Sequence, residues 1–298
     1  MFYEYAIEPQ LLSNWRDFRY YYDQMGASKG KFISRYPKQW KKLVYQSLGE
    51  CGDIEKKRIE ECLASIDCKL LPRNNEWDAN EDWLTNAEAE HDKSPFHAII
   101  ARINLNNHER VLVGDTLNNE VDLWRASTVS GIPRCAKDMA NSIALLLQAS
   151  REIIFIDPYF DPESSRFRKP LIEFLKTAKL NRTSEITRVE YHLKEIHGYH
   201  YFNENCNKLT TEIPAPINIT FRRWTQKPRS EKLHDRYIVT EKGGVQFSVG
   251  LDQANSGETT NISILSEDLR SSVWNKYLSN EPAFKFIDEC TVIGEHNP

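Results

Sequence analysis

No apolar run in the 298-residue chain approaches the roughly 20 residues that a membrane-spanning helix needs. The N-terminus shows no signal-peptide pattern, and the sequence contains neither a low-complexity tract nor an internal repeat. Its six cysteines, at 51, 62, 68, 135, 206 and 290, include no Cys-x-x-Cys pair, and no cluster of Cys and His has metal-ligand spacing. A cytoplasmic protein with reduced thiols and no structural zinc is the expectation. Charge of one sign is also scarce. Lys and Arg number 39 against 43 Asp and Glu, so any affinity for nucleic acid has to come from a local patch.

What is there centres on residues 230–252, SEKLHDRYIVTEKGGVQFSVGLD. Leu233, Tyr237 and Val239, then Val245, Phe247 and Val249, have strand propensity, and the EKGG between them is a turn signal that permits positive φ. A β-hairpin follows. Alternation along its first strand sets His234 and Arg236 on one face, where an imidazole and a guanidinium can meet one phosphate. Imidazole titrates near neutrality and serves as nucleophile or acid, while guanidinium offers a fork to phosphate oxygens.

The spacing His234, Arg236, Glu241 resembles the HxK(x)4D signature of the phospholipase D superfamily, with Arg for Lys and Glu for Asp. The run LHDRYIVTEKGGVQFSVGLD looks closer still to its divergent domains, which include the C-terminal domain of MIT-domain proteins and bacterial nuclease and phage-defence relatives. That resemblance implies a phospholipase D-like α/β/α sandwich and a phosphodiesterase without metal or other cofactor. His234 would be nucleophile or acid, Arg236 the phosphate clamp and Glu241 the third motif residue. Where the superfamily has GSxN this chain has Gly250-Leu251-Asp252-Gln253, which puts a carboxylate in place of a neutral phosphate ligand. Asn255 and Asn261 follow as candidate donors. Two histidines are needed and one motif is present, so a homodimer with a shared two-fold centre is expected.

Length suggests two domains, an N-terminal α+β module at 1–130 and the phospholipase D-like domain at 131–298, divided near Gly131-Ile132-Pro133. In the first, helices are expected over 13–25, 35–49 and 52–65, and a short strand over IDCKLLP. An irregular acidic connector is expected at 74–93, a hairpin from 96–103 and 110–115, and a further strand at 120–127. Eight Lys and Arg lie between Arg16 and Lys42 among aromatic residues. They suit either a nucleic-acid backbone with unstacked bases or a small helical domain with an aromatic core and a solvated basic face.

In the second domain a helix is expected at 135–150 and a doubly covered strand at IIFI, ending in Asp157-Pro158-Tyr159-Phe160-Asp161-Pro162. Asp157 and Tyr159 at that strand end are candidates to orient His234 or the substrate. Alternating helices and strands run on through 169–279, with His192, His197 and His200 in or after one strand. The stretch RRWTQKPRSEK forms a second basic patch, from which Arg229 is a substrate-binding candidate along with Asp252 and Asn255. Nucleic acid is the expected partner, with a protein partner in a defence assembly as a further one and no membrane. The alternative is a catalytically silent module that recognises nucleic acid, phosphate or a protein.

Overall fold

A computed structural model describes residues 1–49, 51–182 and 184–295. The chain is mixed α/β and divides into two compact units, Met1–Ser127 and Thr128–Pro298. Among the described residues no helix is long and apolar enough to cross a membrane.

The first unit contains β1 (Tyr3–Ile7), α1 (Trp15–Gln24), β2 (Lys31–Ser34), α2 (Trp40–Ser47), α3 (Asp53–Ser65), β3 (Leu70–Leu71), α4 (Trp83–Lys93), β4 (Ala98–Ala101) and β5 (Val111–Val113). Its five strands are all parallel, in the order β3-β2-β1-β4-β5. The α+β expectation is therefore corrected to a parallel, doubly wound arrangement. Tyr5, Ile7, Ile33 and Ile100 pack on one face with α1, α2 and α3. Ala6, Ile99 and Ala101 pack on the other with Trp83, Leu84 and Ala87 of α4. Both faces are covered, as continuous apolar strands such as AIIA require.

The expected hairpin at 96–115 is replaced by a parallel β4–β5 pair. Asn104 braces the connection. Its side chain accepts from His108 N at 2.9 Å and donates to the His108 and Val111 carbonyls at 3.0 and 3.1 Å, folding the connection back so that β5 re-enters in the same direction. The expected connector at 74–93 holds α4, capped by Asp82 on Thr85 N, and residues 120–127 form turns in place of a strand. Phe18, Tyr21, Phe32, Tyr36 and Trp40 are buried and cannot stack on bases. Even Lys31 is inside, its Nζ 3.6 Å from the centre of the Trp124 ring.

The second unit begins with β6 (Val129–Pro133), the stretch expected to be the boundary, followed by α5 (Ala136–Ser142) and α6 (Ala144–Ala149), one expected helix interrupted at Ile143. Next come β7 (Glu152–Ile156), α7 (Ser165–Lys179), β8 (Arg188–Lys194), α8 (Tyr199–Asn207) and β9 (Asn218–Thr225). β10 (Tyr237–Thr240), β11 (Gly244–Phe247), β12 (Thr259–Ile264), α9 (Glu267–Leu278) and β13 (Lys285–Ile293) complete it.

The eight strands run β13-β9-β8-β7-β10-β11-β12-β6, with β7, β8 and β9 parallel and the other pairs antiparallel. Ile154, Ile156, Trp224, Tyr237 and Val239 pack with Val273 and Tyr277 of α9 on one face. Phe155, Phe160, Phe174, Tyr191, Phe221 and Phe247 form an aromatic layer on the other. The β10–β11 hairpin is present, but no residue of its turn has positive φ. Thr240 closes it instead, its hydroxyl accepting from Lys242 N and Gly243 N.

Candidate functional site

Register brings the carboxyl ends of β7, β8, β9 and β11 and the start of β10 to one end of the eight-stranded sheet, since Tyr237 pairs with both Ile156 and Gln246. Asp157, directly after β7, is 1% exposed and accepts from Tyr159 N at 3.0 Å and Leu251 N at 2.9 Å. It stitches the β7 exit loop to the loop after β11. Burial pushes its carboxyl above the usual range, against the pull of those two N–H groups and of nearby Arg236.

Arg236 lies just before β10 with its guanidinium 4.8 Å from the centre of the Tyr159 ring. Its Nε is buried without a hydrogen-bond partner among the described residues, an unmet donor of the kind that costs about 1–3 kcal/mol unless something accepts from it. Two residues earlier the His234 side chain is 64% exposed, with Nδ1 3.7 Å from Asp235 Oδ1.

Asp252 is 3% exposed and is held by two arginines that the sequence reading did not single out. Arg134, between β6 and α5, donates Nη2 to its Oδ1 and Nε to its carbonyl oxygen at 3.1 Å. Arg166, in the first turn of α7, donates Nε to Oδ2 at 2.7 Å and adds a second bond through Nη2. A Cβ at Gly250 would collide with the Asp252 carboxylate, so any larger residue there displaces the group that the two arginines hold. The carboxylate that stands in place of a neutral phosphate ligand is thus outnumbered. It organises two guanidinium groups, and one of them, Arg166, remains 58% exposed. The only advance signal was an arginine at each of two element boundaries, GIPR and SSRFR.

Asp157, Tyr159, Arg236 and Asp252 therefore share one sheet end with His234. Glu241 does not. Seven residues beyond His234, and roughly 20 Å away along an extended chain, it accepts from Arg151 N at 2.8 Å and Glu152 N at 3.0 Å, which pins the far end of β10 to the start of β7. Its place is structural. Arg229 is exposed in the loop before His234 with φ 60°, and the Asn255 amide donates to Glu258 at 3.2 Å. In the expected basic patch Arg223 is 1% exposed, forked onto Asp288 with both bonds at 2.6 Å, and Arg222 faces Glu190 and Glu289.

His192 is buried in β8. It accepts from Trp224 Nε1 at 3.0 Å through Nδ1, so Nε2 donates to Glu190 at 2.8 Å. Burial lowers its pKa, and the ring is a neutral structural link. His197 and His200 are exposed before and within α8.

No family model and no curated protein matches the sequence. Among solved structures the archaeal chromatin protein TrmBL2, described as showing a novel mode of DNA binding, is similar over 58% of this chain and 58% of its own, at 9% identity and a TM-score of 0.28. A likeness at that score carries no weight for fold or function.

Proposed function

We propose that the second unit is a phospholipase D-like phosphodiesterase, a nuclease that cleaves without metal through His234. The observation that supports it is the unmet Nε donor of Arg236 beside an exposed imidazole and an arginine pair ordered by Asp252. In this reading Arg236 and Arg166 hold the phosphate oxygens. His234 Nε2 attacks phosphorus as the P–O bond to the leaving group breaks, and the leaving oxygen takes a proton from His234 of a second copy. Water then cleaves the P–N bond and returns both histidines to their starting states. One motif per chain makes the active form a homodimer.

The test is light scattering on the purified chain, with a chelator-treated nuclease assay on the same fraction and His234→Ala as control. A dimer whose cleavage disappears in the variant, with its melting temperature unchanged, is the expected result. Undiminished cleavage by the variant removes the histidine mechanism.

A recognition module without catalysis is the second reading, favoured by one observation: Asp252 already engages two of the three guanidinium groups at the site. A monomer that binds single-stranded nucleic acid and cleaves nothing would establish it.

A further inference from the structure

The parallel sheet of the first unit reverses its winding between β1 and β4, the two strands from which the chain departs in opposite directions. Open α/β sheets bind ligands outside the carboxyl ends of such a pair. Directly beyond Ile7 and Ala101 lies a cleft of about 610 Å³, lined by Gln10, Ser13, Gln46, Cys51, Glu55 and Arg102 among others. That volume is in the range of small-molecule sites.

The lining points to a chemistry. Glu8, 6% exposed, accepts from Arg102 N at 2.7 Å through one oxygen and from Arg102 Nε at 2.8 Å through the other. The guanidinium is so fixed in plane, while its two Nη groups have no partner among the described residues and 59% of the side chain is exposed. A preset fork with two free N–H edges matches a carboxylate or a phosphate. Around it the cleft offers the amides of Gln10 and Gln46, the Ser13 hydroxyl and the Glu55 carboxylate, groups that pair with hydroxyls. No aromatic ring lines it among the described residues, so nothing is there to stack on a base. Glu8-Pro9-Gln10-Leu11-Leu12 after β1 also lacks the glycines by which a dinucleotide's pyrophosphate approaches the backbone. The wall is held in place: Cys51 Sγ donates to Ser13 O at 2.9 Å, tying the start of α3 to the loop after β1.

We propose that the first unit binds a small polyhydroxylated oxyanion, a sugar acid or a sugar phosphate, at the carboxyl ends of β1 and β4. Arg102 grips the charged group, and Gln10, Gln46 and Glu55 take the hydroxyls. This site belongs to the first unit, differs in chemistry from the His234 centre and does not depend on that centre being catalytic.

Titration calorimetry on the full chain with gluconate, glucose 6-phosphate and glucose tests it. Saturable binding of at least one anion and none of glucose is expected, and whichever anion binds tells carboxylate from phosphate. Alkylation of Cys51 should slow when that anion is present, which separates this cleft from binding near His234. The double variant E8Q/R102Q leaves no lone buried charge and should weaken binding by at least about tenfold, the worth of one or two charge-assisted hydrogen bonds. Should it fail to fold, Q10A/Q46A on the rim is the substitute, with about threefold weakening expected. Binding of none of the three probes, glucose bound as tightly as the anions, or anion binding that neither changes Cys51 alkylation nor responds to a folded variant overturns the proposal.

Discussion

Replacing Asp252 by alanine removes one carboxylate from between two guanidinium groups, and the two respond differently. The Arg134 side chain is 9% exposed and stays behind as a buried charge without its partner. Breaking a buried pair in this way costs about 3–5 kcal/mol. Arg166, 58% exposed, swings into water and adds little. The expected loss is therefore about 3–4 kcal/mol, or about 6–15 °C in the melting temperature of a domain of this size. The N–H of Gln253 still reaches Arg166 O, and Ala254 N still reaches Arg134 O at 2.9 Å, so the loop keeps its backbone ties. Urea and thermal unfolding followed by circular dichroism read the change. A companion variant, R134M/D252L, removes the whole pair and should recover to within about 1 kcal/mol of the parent. A loss below about 1 kcal/mol in Asp252→Ala, or a companion no better than the single variant, would refute the charge-pair reasoning.

Glu241→Ala deprives two backbone N–H groups of their acceptor and should cost about 1–3 kcal/mol in urea unfolding without changing cleavage per folded molecule. Lys31 is held at about 8, mainly by burial, from an ordinary 10.5. Between those values the unfolded chain binds the extra proton, so stability rises with pH across that window. Lys31→Met should remove the rise and raise the urea midpoint measured below pH 8. Acid acts on the second unit through two adjacent groups. Burial opposes ionisation of Glu190, but hydrogen bonds from His192 and Arg188 outweigh it and hold the carboxyl below its ordinary 4.5. Stability from Glu190 is present above 4.5 and falls as pH drops through the lowered value. His192, lowered from 6.5 by burial, favours the unfolded chain once pH falls below 6.5. An acid unfolding profile that shows no loss between 6.5 and 4.5 would contradict the His192 assignment.

The hairpin and the strand end at Asp157 were legible in the sequence because both are local: turn residues flanked by β-branched and aromatic runs. The helix at 52–65 was legible for the same reason, through apolar residues such as Ile59 and Leu63 four apart on its buried face. The parallel sheet of the first unit was not. Its central strand, YEYAI, lies ahead of the first element expected from the sequence, and strand direction is set by pairing across the chain and leaves no local mark. Arg134 and Arg166 were invisible for a related reason, as nothing near either residue announces a carboxylate far along the chain. Glu241 was placed by its spacing from His234, but that spacing carries it to the opposite end of β10.

Asp252 meets Arg166 across 86 positions of sequence and Arg134 across 118. Contacts that distant form late, after the shorter loops have closed. A chain that ends before Asp252 holds His234, Arg236, Arg134 and Arg166 but lacks the carboxylate that pairs the two guanidinium groups. For a protein whose proposed chemistry is the cutting of nucleic acid, the arrangement beside His234 is then conditional on folding everything from β6 to the loop after β11.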